Sequence, residues 1–198
     1  MLKFDDKEKL DVPPELWEAW GRFKDIVKYG DPVLRQVAKP VTRLSAETQK
    51  LVERMKSTMK EANGLGLAAP QVGASTRIIV YDALDKKGVR VLINPIILSM
   101  QGEQWEPEEG CLSIPGLVGI VKRAQDIKVK GYDERNRPVV RRASGLEARV
   151  IQHEVDHLNG ILFIDLATPE SIEWVLKDDD EDEEGENEDE NENNEREA

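Results

Sequence analysis

Apolar positions along the chain follow two periods. In "SAETQKLVERMKSTMKEANG", Leu51, Val52, Met55 and Met59 recur at helical spacing. Ser45 is placed to cap that helix, Glu47 falls in its first turn, and Asn63-Gly64 is a stop signal. Upstream, "PPELWEAWGRFKDIV" carries Leu16, Trp17, Trp20, Phe23 and Val27 at spacings that predict a short helix laying one face on the domain. Four β-type runs follow: "RIIVYDA", "VRVLINPIIL", "DIKVKGYD" and "PVVRRASG". The last two are separated by "ERNR", a hairpin turn in the making. A second long helix is predicted over 145–159, with Gly160 as its stop. Thr168-Pro169-Glu170 reads as a cap and first turn, predicting a final helix to about Leu176. Strands and helices mix without strict βαβ alternation and without an internal repeat. This predicts an α+β fold in a single compact domain.

Charge divides the chain unevenly. The net charge is −12, but residues 178–198 hold fourteen acidic residues against Arg196 alone. The preceding 177 residues are therefore within one charge of neutral, so the overall acidity says nothing about the domain's ligand. The tail "KDDDEDEEGENEDENENNEREA" lacks the apolar surface needed to offset its ordering entropy, and is expected to be disordered. The organisation expected is an N-terminal extension over 1–23, a folded domain over 24–177 and the tail over 178–198. Cys111 is the only cysteine, which excludes an internal disulfide and suits a reducing compartment. The N-terminal stretch lacks a secretory pattern, and no apolar run approaches the ~18 residues of a membrane span. A soluble cytoplasmic protein without a membrane partner is expected.

The chemistry concentrates in three segments. "VIQHEVDHLN" holds both histidines of the chain, His153 and His157, four apart on one helix face, so two imidazoles can reach one ion. Glu154 lies about 100° around that helix, where a carboxylate can exchange protons with a cation-activated water. Such catalytic sites use three protein ligands and an open position. Phe163 stands where a third histidine would fall in one class of zinc protease. The remaining candidates are Glu173, which would make a metalloendopeptidase, and the soft ligand Cys111 in "EEGCLSIPG". The third segment, "GLGLAAPQVG", follows a helix and lacks the lysine of a phosphate loop. It reads either as a tight helix-to-strand connection or as a bare backbone that a peptide can approach. Gln71 is its only uncharged hydrogen-bonding side chain and a candidate donor to an oxyanion.

Taken together, "GLGLAAPQVG", "EGCLS" and "QHEVDH" resemble the three motifs of the peptide deformylases, in the same order. "YGDPVLRQVAKPV" resembles that family's N-terminal stretch, and the likeness covers roughly residues 24–170. The resemblance implies antiparallel sheets packed around a central HExxH helix. It implies Cys111, His153 and His157 as ligands of one divalent metal ion, and Glu154 as acid/base. Gln71 and the Leu112 backbone N–H would form the oxyanion hole. Gly64 and Gly66 would lie along the substrate backbone, with Leu65, Leu146 and Val150 lining the methionine pocket. Glu109, Arg123 and Asp156 would pair behind the ligands. The implied reaction removes the formyl group from N-formylmethionyl polypeptides at the ribosome, releasing formate, with no nucleic acid bound directly. Fe2+ is the family's usual ion, and Zn2+, Ni2+ or Co2+ suit the same donors. Two positions depart from the family pattern: Val118 replaces a residue that is often arginine or tyrosine, and Arg149 occupies a position that is often apolar, where it is expected to reshape the pocket rim. A non-catalytic module that uses the acidic tail to hold a basic partner is the reading from a different class.

Overall fold

The computed structural model describes residues 10–85, 88–105 and 107–175. The expected disordered tail over 178–198 lies outside the described residues. The strands form two antiparallel sheets. The larger has five strands: β1 (Gly66–Ala68), β2 (Ile78–Tyr81), β3 (Arg90–Gln101), β6 (Asp126–Tyr132) and β7 (Pro138–Ser144), in the order β1-β2-β3-β6-β7. The smaller orders β4 (Glu109–Cys111), β5 (Ile114–Gly119) and β8 (Glu173–Trp174) as β4-β5-β8.

The large sheet is buried on both faces at β2. The run "IIVY" is apolar throughout because each face meets a helix. Ile78 and Val80 join Val52, Met55 and Met59 of α2 (Ala46–Glu61). Ile79 and Tyr81 join Val150, Ile151, Val155 and Leu158 of α3 (Gly145–Leu158). Farther along the sheet one face is uncovered, and β6 alternates buried Ile127 and Val129 with the more exposed Lys128 and Lys130. The β6–β7 hairpin keeps an unbroken register from Asp126↔Ser144 to Tyr132↔Pro138. In β3 the ladder to β6 slips around Asn94-Pro95, where Pro95 cannot donate and Asn94 takes a positive φ.

The helix ends follow local chemistry. Ser45 Oγ accepts the Thr48 N–H at 3.2 Å and caps α2. Gly160 ends α3 with a positive φ, and a Cβ there would sit 2.6 Å from the Arg35 carbonyl oxygen.

Two sequence expectations need correction. The predicted helix to Leu176 is a single 3-10 turn, Pro169–Ser171, followed by β8. Its cap and proline signal a turn, but no apolar helical face follows; the chain leaves instead to pair Leu117 with Trp174 and Val118 with Glu173. The N-terminal helix α1 (Trp17–Arg22) is shorter than its apolar spacing suggests. It docks through Leu16, which lies against Gly116, and through Trp20, whose Nε1–H donates to the Pro115 carbonyl at 3.0 Å. Trp17 is 66% exposed.

Candidate metal centre

The site lies where α3 meets β4. Helix α3 turns Ile151, Val155 and Leu158 into the large-sheet core, while His153 and His157 face the small sheet. Cys111 ends β4 and packs among Leu34, Ile114, Leu162 and Phe163. Its Sγ lies 3.3 Å from His157 Nε2, and ligand atoms of Cys111, His153 and His157 all lie within 4.8 Å of one another. All three residues are buried. Two donors of a tetrahedral ion with bonds of ~2.1–2.3 Å stand about 3.5 Å apart, so one thiolate and two imidazoles in this cluster fit a small divalent cation.

The two imidazoles differ in their preference for a proton. Burial opposes charge on His153, but hydrogen bonds with Cys111 and Glu109 outweigh it and hold His153 well above the ordinary histidine range. Burial, and then the charge of His153, push His157 well below it.

His153 is held from behind, whereas no group among the described residues pairs with His157 Nδ1. Glu109 Oε2 accepts His153 Nδ1–H at 2.9 Å, which leaves Nε2 free to ligate. Arg123 forks onto the same carboxylate, from Nε to Oε1 at 2.7 Å and from Nη2 to Oε2 at 2.8 Å. Its Nη1 reaches Asp156 Oδ2 at 2.6 Å. Burial alone would raise the Glu109 pKa, but Arg123 and His153 bring it down to about 2. Glu109, Arg123 and Asp156 thus form one connected network.

Glu154 is buried, and no group among the described residues pairs with its Oε2. Burial pushes its carboxyl up to about 7, with the charge of His153 pulling the other way. Gly66 gives it room: a Cβ there would fall 2.4 Å from Glu154 Oε1.

The glycine-rich segment is both strand and turn. Gly66–Ala68 forms edge strand β1, and Ala69–Val72 is a 3-10 turn that carries Gln71 inward, 1% exposed. Gln71 Oε1 accepts the Ala68 N–H at 2.7 Å, which turns Nε2 toward Cys111 Sγ at 3.5 Å and Ser113 Oγ at 3.3 Å. Gly64 packs on Leu112, whose Cδ1 would lie 2.7 Å from a Cβ at position 64. These contacts bring together β1, at one end of the large sheet, and β4, at one end of the small sheet. Leu65 and Leu146 are partly exposed and Val150 is buried. Glu173, the alternative third ligand, stands exposed on β8 and is not a member of the cluster.

Sequence reasoning left one residue of the site unassigned and misplaced another. Ser113 is fully buried and accepts from Gln71; its position inside "EGCLS" was the available signal. Arg149 was expected at the pocket rim. It is instead 2% exposed, with Nη1 donating to Glu109 Oε1 at 2.9 Å.

A family model described as polypeptide deformylase matches residues 23–172. The peptide deformylase of Halothermothrix orenii is 54% identical over 140 residues, covering 71% of this chain and 90% of that protein. That of Pelotomaculum thermopropionicum is 49% identical over 142 residues, covering 72% and 90%. Among solved structures, the peptide deformylase of Thermotoga maritima aligns with a TM-score of 0.69 at 46% identity, covering 73% of this chain and 97% of that one. The Synechococcus elongatus peptide deformylase, solved in complex with actinonin, aligns with a TM-score of 0.70 at 44% identity, covering 82% and 85%.

Proposed function

The chain belongs to the peptide deformylase family, and from that membership we propose how its own residues remove the formyl group from the N-terminal methionine of new polypeptides. The observation that carries the reading is the buried cluster of Cys111, His153 and His157, with Glu154 beside it in the HExxH helix.

In this reading the formylated peptide enters extended between β1 and β4. Both are edge strands, and an edge can pair with one more strand. Gly64 and Gly66 let the peptide backbone come close, while Leu65, Leu146 and Val150 receive the methionine side chain. Cys111, His153 and His157 hold the divalent ion. When bound, the ion supplies Lewis acidity and lowers the pKa of its water. Gln71 Nε2 and the Leu112 N–H donate to the formyl oxygen as it gains negative charge. Glu154 accepts a proton from the attacking water and delivers it to the departing amine. Water oxygen ends on formate, and the peptide leaves with a free amino terminus. Glu109 fixes the tautomer of His153, and Arg123 with Asp156 fixes Glu109.

The ion is Fe2+ in this proposal, with Zn2+, Ni2+ or Co2+ able to take its place on the same donors. The enzyme works in the cytoplasm on chains emerging at the ribosome. Among the described residues no helix is long and apolar enough to cross a membrane. Metal analysis of anaerobically purified protein, with formate release measured on the same sample, tests the metal assignment. The expected result is about one iron per chain and activity that decays in air while the nickel or zinc form persists. Equal air stability of all metal forms would count against iron.

A further inference from the structure

Glu109 is held by two arginines, and the reading above gives work to only one of them. Arg123 comes from the loop between β5 and β6. Arg149 comes from α3 itself, one turn before His153, so both ends of the chain of contacts Arg149–Glu109–His153 stand on one face of one helix. Arg149 Nη1 donates to Glu109 Oε1 at 2.9 Å and to the Val121 carbonyl at 3.0 Å. Glu109 Oε1 therefore has two arginine donors, while Oε2 is shared by Arg123 and His153. Arg123 alone grips the carboxylate from one side. With Arg149 it is clamped from two elements.

We propose that Arg149 is a positioning residue of the metal centre, clamping Glu109 onto His153. The proposal rests on Cys111, His153 and His157 holding the ion. Arg149 touches neither ion nor substrate, so its effect must pass through Glu109.

A double-mutant cycle on metal retention tests this. Wild type, Arg149→Met, Glu109→Gln and the double variant are loaded with Co2+, and release of the ion to a chromogenic chelator is followed. Circular dichroism confirms that each is folded. Arg149→Met is expected to weaken Co2+ binding about tenfold and to shift the visible cobalt bands, Glu109→Gln by ~10–100-fold, and the double variant no more than Glu109→Gln alone. If Arg149→Met does not fold, Arg149→Lys, which keeps the charge but loses the planar guanidinium, is expected to show a smaller loss with the same non-additivity. Unchanged Co2+ affinity and spectrum in the folded Arg149 variant would overturn the proposal, as would effects that add fully to those of Glu109→Gln. A wild-type chain whose Co2+ binding is indifferent to Cys111→Ala would overturn the ligand assignment itself, and the proposal with it.

Discussion

Gln71 is set before any substrate arrives. Its carbonyl oxygen is committed to the Ala68 N–H, so its amine can only face the cluster. A donor fixed in advance needs no reorganisation when charge develops, which is where oxyanion stabilisation gains its strength. Gln71→Ala is therefore expected to lower kcat by roughly 10²-fold, with bound metal unchanged, in a steady-state formate assay. Loss of the ion in that variant would instead make Gln71 a structural support of Cys111. At this scale much of the candidate site was legible, because its residues are chemically distinctive: two histidines at helical spacing, one cysteine, one glutamine in a glycine-rich loop. Arg149 was misread for a physical reason. Sequence spacing gives the helix face on which a side chain stands, but not whether a buried carboxylate from a distant strand waits there. Glu109 is forty residues away, and only the fold brings it to 2.9 Å.

Among the elements, those with a clear apolar period were legible, the four-residue β2 included, and the strands of the small sheet were not. Helices α2 and α3 and the β6–β7 hairpin carry their own signals: a cap, a stripe or alternation, and a turn. Ser45 illustrates this, since its hydroxyl takes up an N–H that α2 cannot satisfy internally. Ser45→Ala should lower unfolding free energy by ~1 kcal/mol in urea denaturation and leave formate release unchanged. A drop in activity at equal stability would mean that α2 communicates with the site. The small sheet escaped sequence reading. "IPGLVG" contains a proline and two glycines, Gly116 has a positive φ, and β8 has only two residues. Such strands exist because of their partners rather than their propensity.

The molecule as a whole places the Cys111, His153 and His157 cluster between two cores, one under the large sheet and one under the small sheet. Burial there also sets a response to pH. Tyr81 is 1% exposed, and burial pushes its phenol up to about 12, with the charge of Arg141 partly opposing the shift. The unfolded chain ionises near pH 10, so between there and about 12 it binds fewer protons than the native state. Stability is thus full below pH 10 and falls as pH rises through that window, by on the order of 2 kcal/mol from this group. Tyr81→Phe should flatten that part of the curve in urea melts taken across the window; an unchanged slope would exclude Tyr81 as its source. The central claim is that Glu154 moves the proton while Cys111, His153 and His157 hold the ion. Formate release from a formyl-Met peptide by Glu154→Gln, with bound metal quantified in the same sample, tests it most directly. The account predicts about one ion per chain, as in wild type, and formate release lowered by ~10²–10⁴-fold or more. A Glu154→Gln protein that releases formate at the wild-type rate would contradict it.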